Sequence, residues 1–288
     1  MKVFIVDNMS VDMVTVLSEA FISFDDIRIA VAFVSIRGLK LIENSIKLAI
    51  NSAKSIEFMV GLDMNWTDPE ALQMLFDLST KNENINCACL SSLKPYYTYH
   101  PKLYLFNTKN NVKSIIGSSN LTEGGLKKNI EANVIVEANI DNEFISDAFY
   151  TYNKLKYHPE RVLPDQEFID IYAKLSRLER KQSKRFINGT KYTSLSKKLL
   201  EKSKSLQKPV VTNKDLVGWL KQIYNIIPDY EFTTQHIYQH EPELAKLYPN
   251  NKNIRPKIRQ QLQVLRDMGL IKHLGRSHWI KGSDINSF

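Results

Sequence analysis

The sequence predicts a mixed α/β domain, a sheet sandwiched by helices, followed by a smaller helical domain that ends in a β-hairpin. Three observations carry this. Over the first 140 residues, apolar β-branched runs alternate with stretches of helical spacing. Two of those runs, "IRIAVAFVS" and "SIEFMVGLD", are apolar at nearly every position, as strands covered on both faces are. From about residue 212 helices take over, closed by "LIKHLGRSHWIKG", which reads as a hairpin with Gly275-Arg276 at its tip.

The elements follow in order. "KVFIVD" is a short strand and "VDMVTVLSEAF" a helix. "RGLKLIENSIKLAINSA" places Leu39, Ile42, Ile46 and Ile50 on one helical stripe. "DPEALQMLFDLS" opens with Asp68 as a cap and Pro69 at the first helical position. "INCACLS", "TYHPKLYLFN", "VKSIIGSSN" and "IEANVIVEA" are strands, and "NEFISDAFYTYNKLKY" and "QEFIDIYAKLSRLERKQSKR" are helices. Residues 181–210 hold nine Lys/Arg against the single acid Glu201 and read as a basic linker, partly helical. "NKDLVGWLKQIYNII" is an amphipathic helix stopped by Pro228, and "FTTQHIYQHEPELAKLYP" a threonine-capped helix. "NIRPKIRQQLQVLRDMG" is a helix with Ile254, Ile258, Leu262 and Leu265 on one face and Gly269 as its stop. Three helices and a hairpin are the winged-helix order. The domains expected are 1–180, a linker at 181–211, and 212–288.

A net charge of +8 and a pI near 9.2 favour an anionic partner. No apolar stretch approaches the roughly 20 residues that span a bilayer. "MKVFIVDNMS" lacks a leader's apolar run and cleavage site. Cys87 and Cys89 lie two apart on one strand, read as buried thiols in a reducing compartment, so the expected location is cytoplasmic. No metal-ligand cluster stands out, and no cofactor is expected. Asp63 and Asp68 in "GLDMNWTDPE" read as a loop near the site and a helix cap.

Chemistry concentrates in "YTYHPKLYLFNTKNNVKSIIGSSNLTEGGL". Strand alternation puts His100 and Lys102 on one face, with Leu103 and Leu105 on the other. An imidazole beside a fixed positive charge is costly unless an anion sits between them, and phosphate is the obvious anion. Asn120 closes the next strand, and Ser118 and Ser119 offer hydroxyls for phosphoryl oxygens. Glu131 begins the strand after, where a carboxylate would orient a histidine ring. In the C-terminal domain, residues 252–281 hold eight Lys/Arg against Asp267 alone. The third helix offers Arg255, Lys257, Arg259, Gln260 and Gln263, and the hairpin Arg276 and His278. Arginine and glutamine pair bidentately with guanine and adenine edges in the major groove of duplex DNA.

His100-x-Lys102, "IIGSSNLTEGGL" and "NIEANV" resemble the phospholipase D superfamily, in particular the nuclease branch that includes metal-independent restriction endonucleases. Asn120 lies eighteen residues after Lys102, and Glu131 eleven after that, as in the family's pattern. Five residues after the lysine, lipid-hydrolysing members carry aspartate; this chain has Asn107, a departure that argues against the lipase branch. The resemblance implies a phospholipase D-like sheet and an active site assembled from two such motifs. Only one occurs here, because His158, His236, His240, His273 and His278 are not followed by lysine two residues on. It therefore implies a homodimer with the site shared across its twofold axis. It also implies a covalent phosphohistidine at His100, with Lys102 and Asn120 holding the phosphoryl oxygens and Glu131 orienting the imidazole.

Residues 212–281 resemble the winged helix of Dam-replacing restriction endonucleases, some of which read N6-methyladenine. Trp219, Tyr224 and Trp279 are the aromatic candidates to contact a methyl group. The combined expectation is a type II-like restriction enzyme acting on double-stranded DNA, with a cognate methyltransferase as its biological partner. The alternatives are a nuclease of RNA or single strands, and a DNA-binding regulator whose nuclease domain is inactive.

Overall fold

The computed structural model describes residues 1–90, 98–182, 190–207, 210–249, 251 and 253–282. Lys252 and the parts of the basic segment at 183–189 and 208–209 lie outside the described residues. The chain divides into two compact units, Met1–Thr108 with Val112–Glu137 and Pro159–Pro209, and Lys109–Asn111 with Ala138–His158 and Val210–Phe288.

The first part of the chain runs β1 (Lys2–Val6), α1 (Met13–Ser23), β2 (Asp26–Val31), α2 (Ile36–Asn51), β3 (Ser55–Gly61), α3 (Pro69–Lys81) and β4 (Ile85–Leu90). It continues through β5 (Lys102–Asn107), β6 (Asn111–Gly117), β7 (Asn133–Asn139), α4 (Glu143–Lys156), β8 (Arg161–Val162), α5 (Gln166–Gln182) and α6 (Thr190–Ser205). Eight strands form one mixed sheet in the order β1-β7-β6-β5-β2-β3-β4-β8; seven are those that the sequence pattern predicts, and β8 is an addition. β2, β3 and β4 run parallel, and β5 lies antiparallel to β2. Ile29, Val31, Phe58, Val60, Tyr104 and Phe106 form a core with Leu17 and Phe21 of α1, Ile42 and Ile46 of α2, Leu72 of α3 and Phe168 of α5. Burial of each such side chain is worth about 1.5–3 kcal/mol. Cys87 and Cys89 are buried free thiols of β4.

Two segments group differently from the expectation. The linker contributes α6, whose Leu199 is buried in the core of the first unit. Leu195 and Leu199 pack, Lys197, Lys198 and Lys204 are exposed, and Lys202 pairs with Asp165 and Glu167 at the start of α5. The helix expected at "NEFISDAFYTYNKLKY" is α4, and it groups with the second unit. Lys156 of α4 pairs with buried Asp215 at 2.9 Å, and Asn153 donates to the Asp215 carbonyl.

The second unit continues through α7 (Gly218–Ile226), β9 (Phe232–Thr233), α8 (Thr234–Tyr238), α9 (Glu241–Leu247), α10 (Ile254–Asp267), β10 (Ile271–Gly275) and β11 (His278–Lys281). The single helix expected over "FTTQHIYQHEPELAKLYP" is instead a strand and two helices. Phe232 and Thr233 pair with Trp279 and His278, closing a three-stranded sheet. Thr233 caps α8 through His236, and Pro242 opens α9. The wing turns at Gly275, Arg276 and Ser277, all at positive φ, with glycine leading where a side chain would be strained. Ile258, Leu262 and Leu265 of α10 pack on Trp219, Leu220 and Ile223 of α7, as the stripe predicts.

Candidate active site and nucleic-acid interface

β5 begins at Lys102 rather than at Thr98. Pro101 has no N–H for the ladder, and its carbonyl accepts the Ala32 N–H at 2.9 Å. His100 therefore lies just ahead of the strand, exposed, while Lys102 is buried at its first position. The Lys102 Nζ sits 2.6 Å from His100 Nδ1 and 2.9 Å from Nε2. Burial holds the His100 pKa below its ordinary value, and the Lys102 charge adds to the effect. Burial also lowers that of Lys102, against the opposing charge of Glu131. The result is an imidazole whose neutral form is favoured, held directly against the Lys102 ammonium.

Asn120 reaches the same place from the β6 end. Its Oδ1 accepts the Phe33 N–H at 3.2 Å, so its amide NH2 remains the donor for an anion. The Phe33 ring lies edge-on to His100 at 5.5 Å and 5.9 Å from the Lys102 Nζ. Phe33 is thus the hub on which His100, Lys102 and Asn120 converge. Gly125 presses on the Asn120 backbone, where a Cβ would lie 2.5 Å from its carbonyl oxygen. The glycine-rich turn is set by that close approach.

Glu131 lies at the same end of the sheet. It accepts hydrogen bonds from Ser118 Oγ and, at 3.2 Å, from Asn129 Nδ2. Among the described residues none links it to His100. Ser118 also accepts the Ala132 N–H at 2.9 Å, so its hydroxyl braces Glu131. Ser119, expected to support a phosphate, does not present its hydroxyl: the residue is fully buried and its Oγ accepts from Asn133 Nδ2 at 2.8 Å. Asn133, inside "NIEANV", carries no role predicted from the sequence. It is fully buried, its Oδ1 accepts the Ser119 N–H at 3.1 Å, and it holds the turn that carries Asn120. The available signal is one amide at the head of a strand whose next three residues are apolar.

Asp63 and Asp68 brace the surroundings. Asp63 Oδ2 accepts the Tyr99 N–H at 2.6 Å, fixing the backbone next to His100; burial raises its pKa. Asp68 stands at the head of α3, but its carboxylate accepts the Ile36 N–H of α2 at 3.1 Å. Among the described residues no group of three His, Cys, Asp or Glu could hold a metal ion.

On α10 the outward face is Arg255, Arg259 and Gln263, all exposed. Arg255 pairs with Glu241 at 2.7 Å and lies over the Tyr238 ring; Arg259 donates to the Tyr238 hydroxyl at 2.7 Å. Arg276 projects from the wing, and His278 Nδ1 lies 2.7 Å from Glu231. Two expected contacts fall elsewhere. Lys257 is buried and paired with Asp147 of α4, and Gln260 is half-buried and hydrogen bonded to Tyr150 of α4. α4 covers the flank that the helical period alone leaves polar. Trp219 is fully buried and stacked on Tyr248 at 4.1 Å, and Trp279 donates to Thr234 at 2.9 Å. Tyr224 is half-buried beneath the Lys281 ammonium.

Residues 9–159, more than half of the chain, match the family model of the NgoFVII restriction endonuclease N-terminal PLD domain. The chain belongs to this family. Residues 215–281 of this NgoFVII-family protein match the Dam-replacing HTH domain. Similar solved structures include NucT from Helicobacter pylori (18% identity, TM-score 0.41, covering 54% of this chain and 93% of that one). Another is Nuc from Salmonella typhimurium, a phospholipase D family member (17% identity, TM-score 0.40, 54% and 91%). The protein is a phospholipase D-like nuclease with a winged-helix DNA-binding domain. Among the described residues no helix is long and apolar enough to cross a membrane.

Proposed function

We propose that this protein is a metal-independent DNA endonuclease of the restriction type, working through a covalent phosphohistidine in a site completed by a second copy of the chain. The observation that carries this reading is the convergence of His100, Lys102 and Asn120 on Phe33. The neutral His100 of one subunit attacks phosphorus, forming a P–N bond as the P–O bond to the leaving strand breaks. The other subunit's His100, in its protonated form, gives its proton to the leaving oxygen, then, now neutral, takes a proton from the water that cleaves the P–N bond. Lys102 and the Asn120 amide stabilise charge on the phosphoryl oxygens. Glu131, braced by Ser118, is the carboxylate that orients an imidazole.

A shared site is supported by an apolar row across three strands, next to Ser118 and Glu131. Ile5 and Val134 are cross-strand partners, 70% and 40% exposed, and Ile116 of β6 is 40% exposed. A second copy seated there would bury this row and bring two histidine motifs together.

The winged helix is the element that reads duplex DNA, through Arg255, Arg259, Gln263 and Arg276, with N6-methyladenine as a candidate mark. Tyr224 is the most accessible of the three aromatic candidates. The domain division we favour is a nuclease core, a basic connector and a DNA reader; a methyltransferase of matching specificity completes the system. The test is digestion of matched methylated and unmethylated plasmids in excess EDTA, with sequencing of the ends. Cleavage that persists in EDTA and vanishes in His100→Ala supports the reading; abolition by EDTA refutes the metal-independent route.

A further inference from the structure

The turn between β3 and α3 carries the chain's most exposed tryptophan beside the His100 site. Met64 and Asn65 both adopt left-handed backbone, with φ of 57° and 51°. Two such residues in succession are strained, and strain of this kind collects at functional sites. The turn is nonetheless clamped on all sides. Asp63 holds the Tyr99 N–H, the Thr67 hydroxyl donates to the Gly61 carbonyl at 2.7 Å, and Tyr172 donates to the Thr67 carbonyl at 2.8 Å. Thr67 Oγ1 also accepts the Val34 N–H, tying the turn to the segment that carries Phe33. From this rigid frame Trp66 projects into solvent, 60% exposed. Its ring lies 4.8 Å from that of Phe33, which in turn lies edge-on to His100.

Core packing does not account for this ring. Folding would bury it if apolar area alone decided its position, yet a strained, well-anchored turn displays it two rings from the nucleophile. We propose that Trp66, backed by Phe33, is a stacking platform for a nucleobase next to the scissile phosphate. Every base has a π-face, and an aromatic ring beside a cationic phosphate site is the usual construction for gripping an unpaired nucleotide. A base within a duplex has no free face, so the platform takes a nucleotide that has left the stack, and the substrate opens locally where it is cut. The inference rests on the assignment of the phosphodiester to His100 and Lys102.

The test uses the full-length chain. Trp66→Ala lowers kcat/KM for DNA by about 5- to 100-fold, the range for loss of one stacked base, mainly through KM, and Trp66→Phe recovers most of the loss. A second readout separates stacking from scaffolding. Of the three tryptophans, Trp219 and Trp279 are buried, so quenching of fluorescence by a short single-stranded oligonucleotide reports on Trp66. It is measured in His100→Ala, where no cleavage occurs. Quenching disappears in His100→Ala/Trp66→Ala and with an abasic oligonucleotide. Equal quenching by the abasic strand, or wild-type kcat/KM in Trp66→Ala, overturns the proposal. So does conversion of Trp66→Ala to a smaller species, which would assign the ring to a protein contact. Because quenching is read without turnover, it stands or falls separately from the catalytic assignment.

Discussion

In the nuclease unit Lys102 is 8% exposed and held against an imidazole, whereas in the winged-helix unit Arg255 and Arg259 stand in water on the outer face of α10. The first cation is fixed before any substrate arrives. Its burial costs free energy and lowers its own pKa, and an arriving phosphate relieves both. The arginines are solvent-exposed and held only by surface contacts with Glu241 and Tyr238, which on the proposed reading they exchange for phosphates or base edges. On the function proposed above, the difference is between a preorganised site that acts on one phosphorus atom and a diffuse surface that samples many sequences. Lys257 shows that sequence charge alone does not distinguish them: it is a lysine on the reading helix, yet it is buried against Asp147.

The largest expected effect lies on the preorganised side. His100→Ala removes the nucleophile and lowers the cleavage rate by at least about 10⁴-fold, with DNA affinity retained. Single-turnover kinetics and a binding isotherm check both halves of that statement. A next-largest effect is expected at the brace. Asn133→Ala strips the Ser119 N–H and hydroxyl of their partner and should cost about 2–3 kcal/mol, read from the denaturant midpoint, with cleavage falling in parallel. An unchanged midpoint would mean that the turn holds Asn120 without it.

On the diffuse side the effects are smaller and salt-dependent. Arg255→Ala or Arg259→Ala should each weaken DNA binding several-fold and reduce the slope of log K against log salt by about 1 if the side chain meets a phosphate. Lys257→Met should change neither. Loss of affinity in Lys257→Met would break the comparison, since it would make a buried ion pair part of the reading surface. The smallest effect is a shift in pH dependence. Because one His100 must be neutral and the other protonated, and the group titrates below its ordinary value of about 6.5, kcat/KM should peak on the acid side of that value and fall as pH moves away in either direction. In Lys102→Ala, nuclear magnetic resonance should show the histidine titrating higher. It should still fall short of the ordinary value, because burial is the larger cause of the shift.

Much of this arrangement was legible in the sequence, for physical reasons that also mark where legibility ends. Spacing along one stretch of chain aims His100, Lys102 and Asn120 at one place, although the pleat covers only Lys102, since His100 precedes β5 and Asn120 follows β6. The stripe of α10 likewise follows from its period. Neither rule reaches across the chain. Phe33, Asp63 and Asn133 reach this region because the sheet order sets β2 beside β5, β3 beside β2 and β7 beside β6, and no local pattern encodes that order. Ser119 was misread because alternation breaks down in a turn. Lys257 and Gln260 were misread because the covering helix α4 lies more than a hundred residues away in sequence. The split of residues 232–249 into β9, α8 and α9 arises from pairing with the wing, a contact some 45 residues distant.

The central claim is that each subunit supplies half of one active site. Co-expression of wild-type and His100→Ala chains under separable tags allows the mixed dimer to be isolated. Its rate of plasmid cleavage in excess EDTA tests that claim most directly. One dimer with one histidine lacks either its nucleophile or its acid, so the account predicts activity at the level of the His100→Ala homodimer. A mixed dimer that retains half of the wild-type activity would show two independent sites and contradict it.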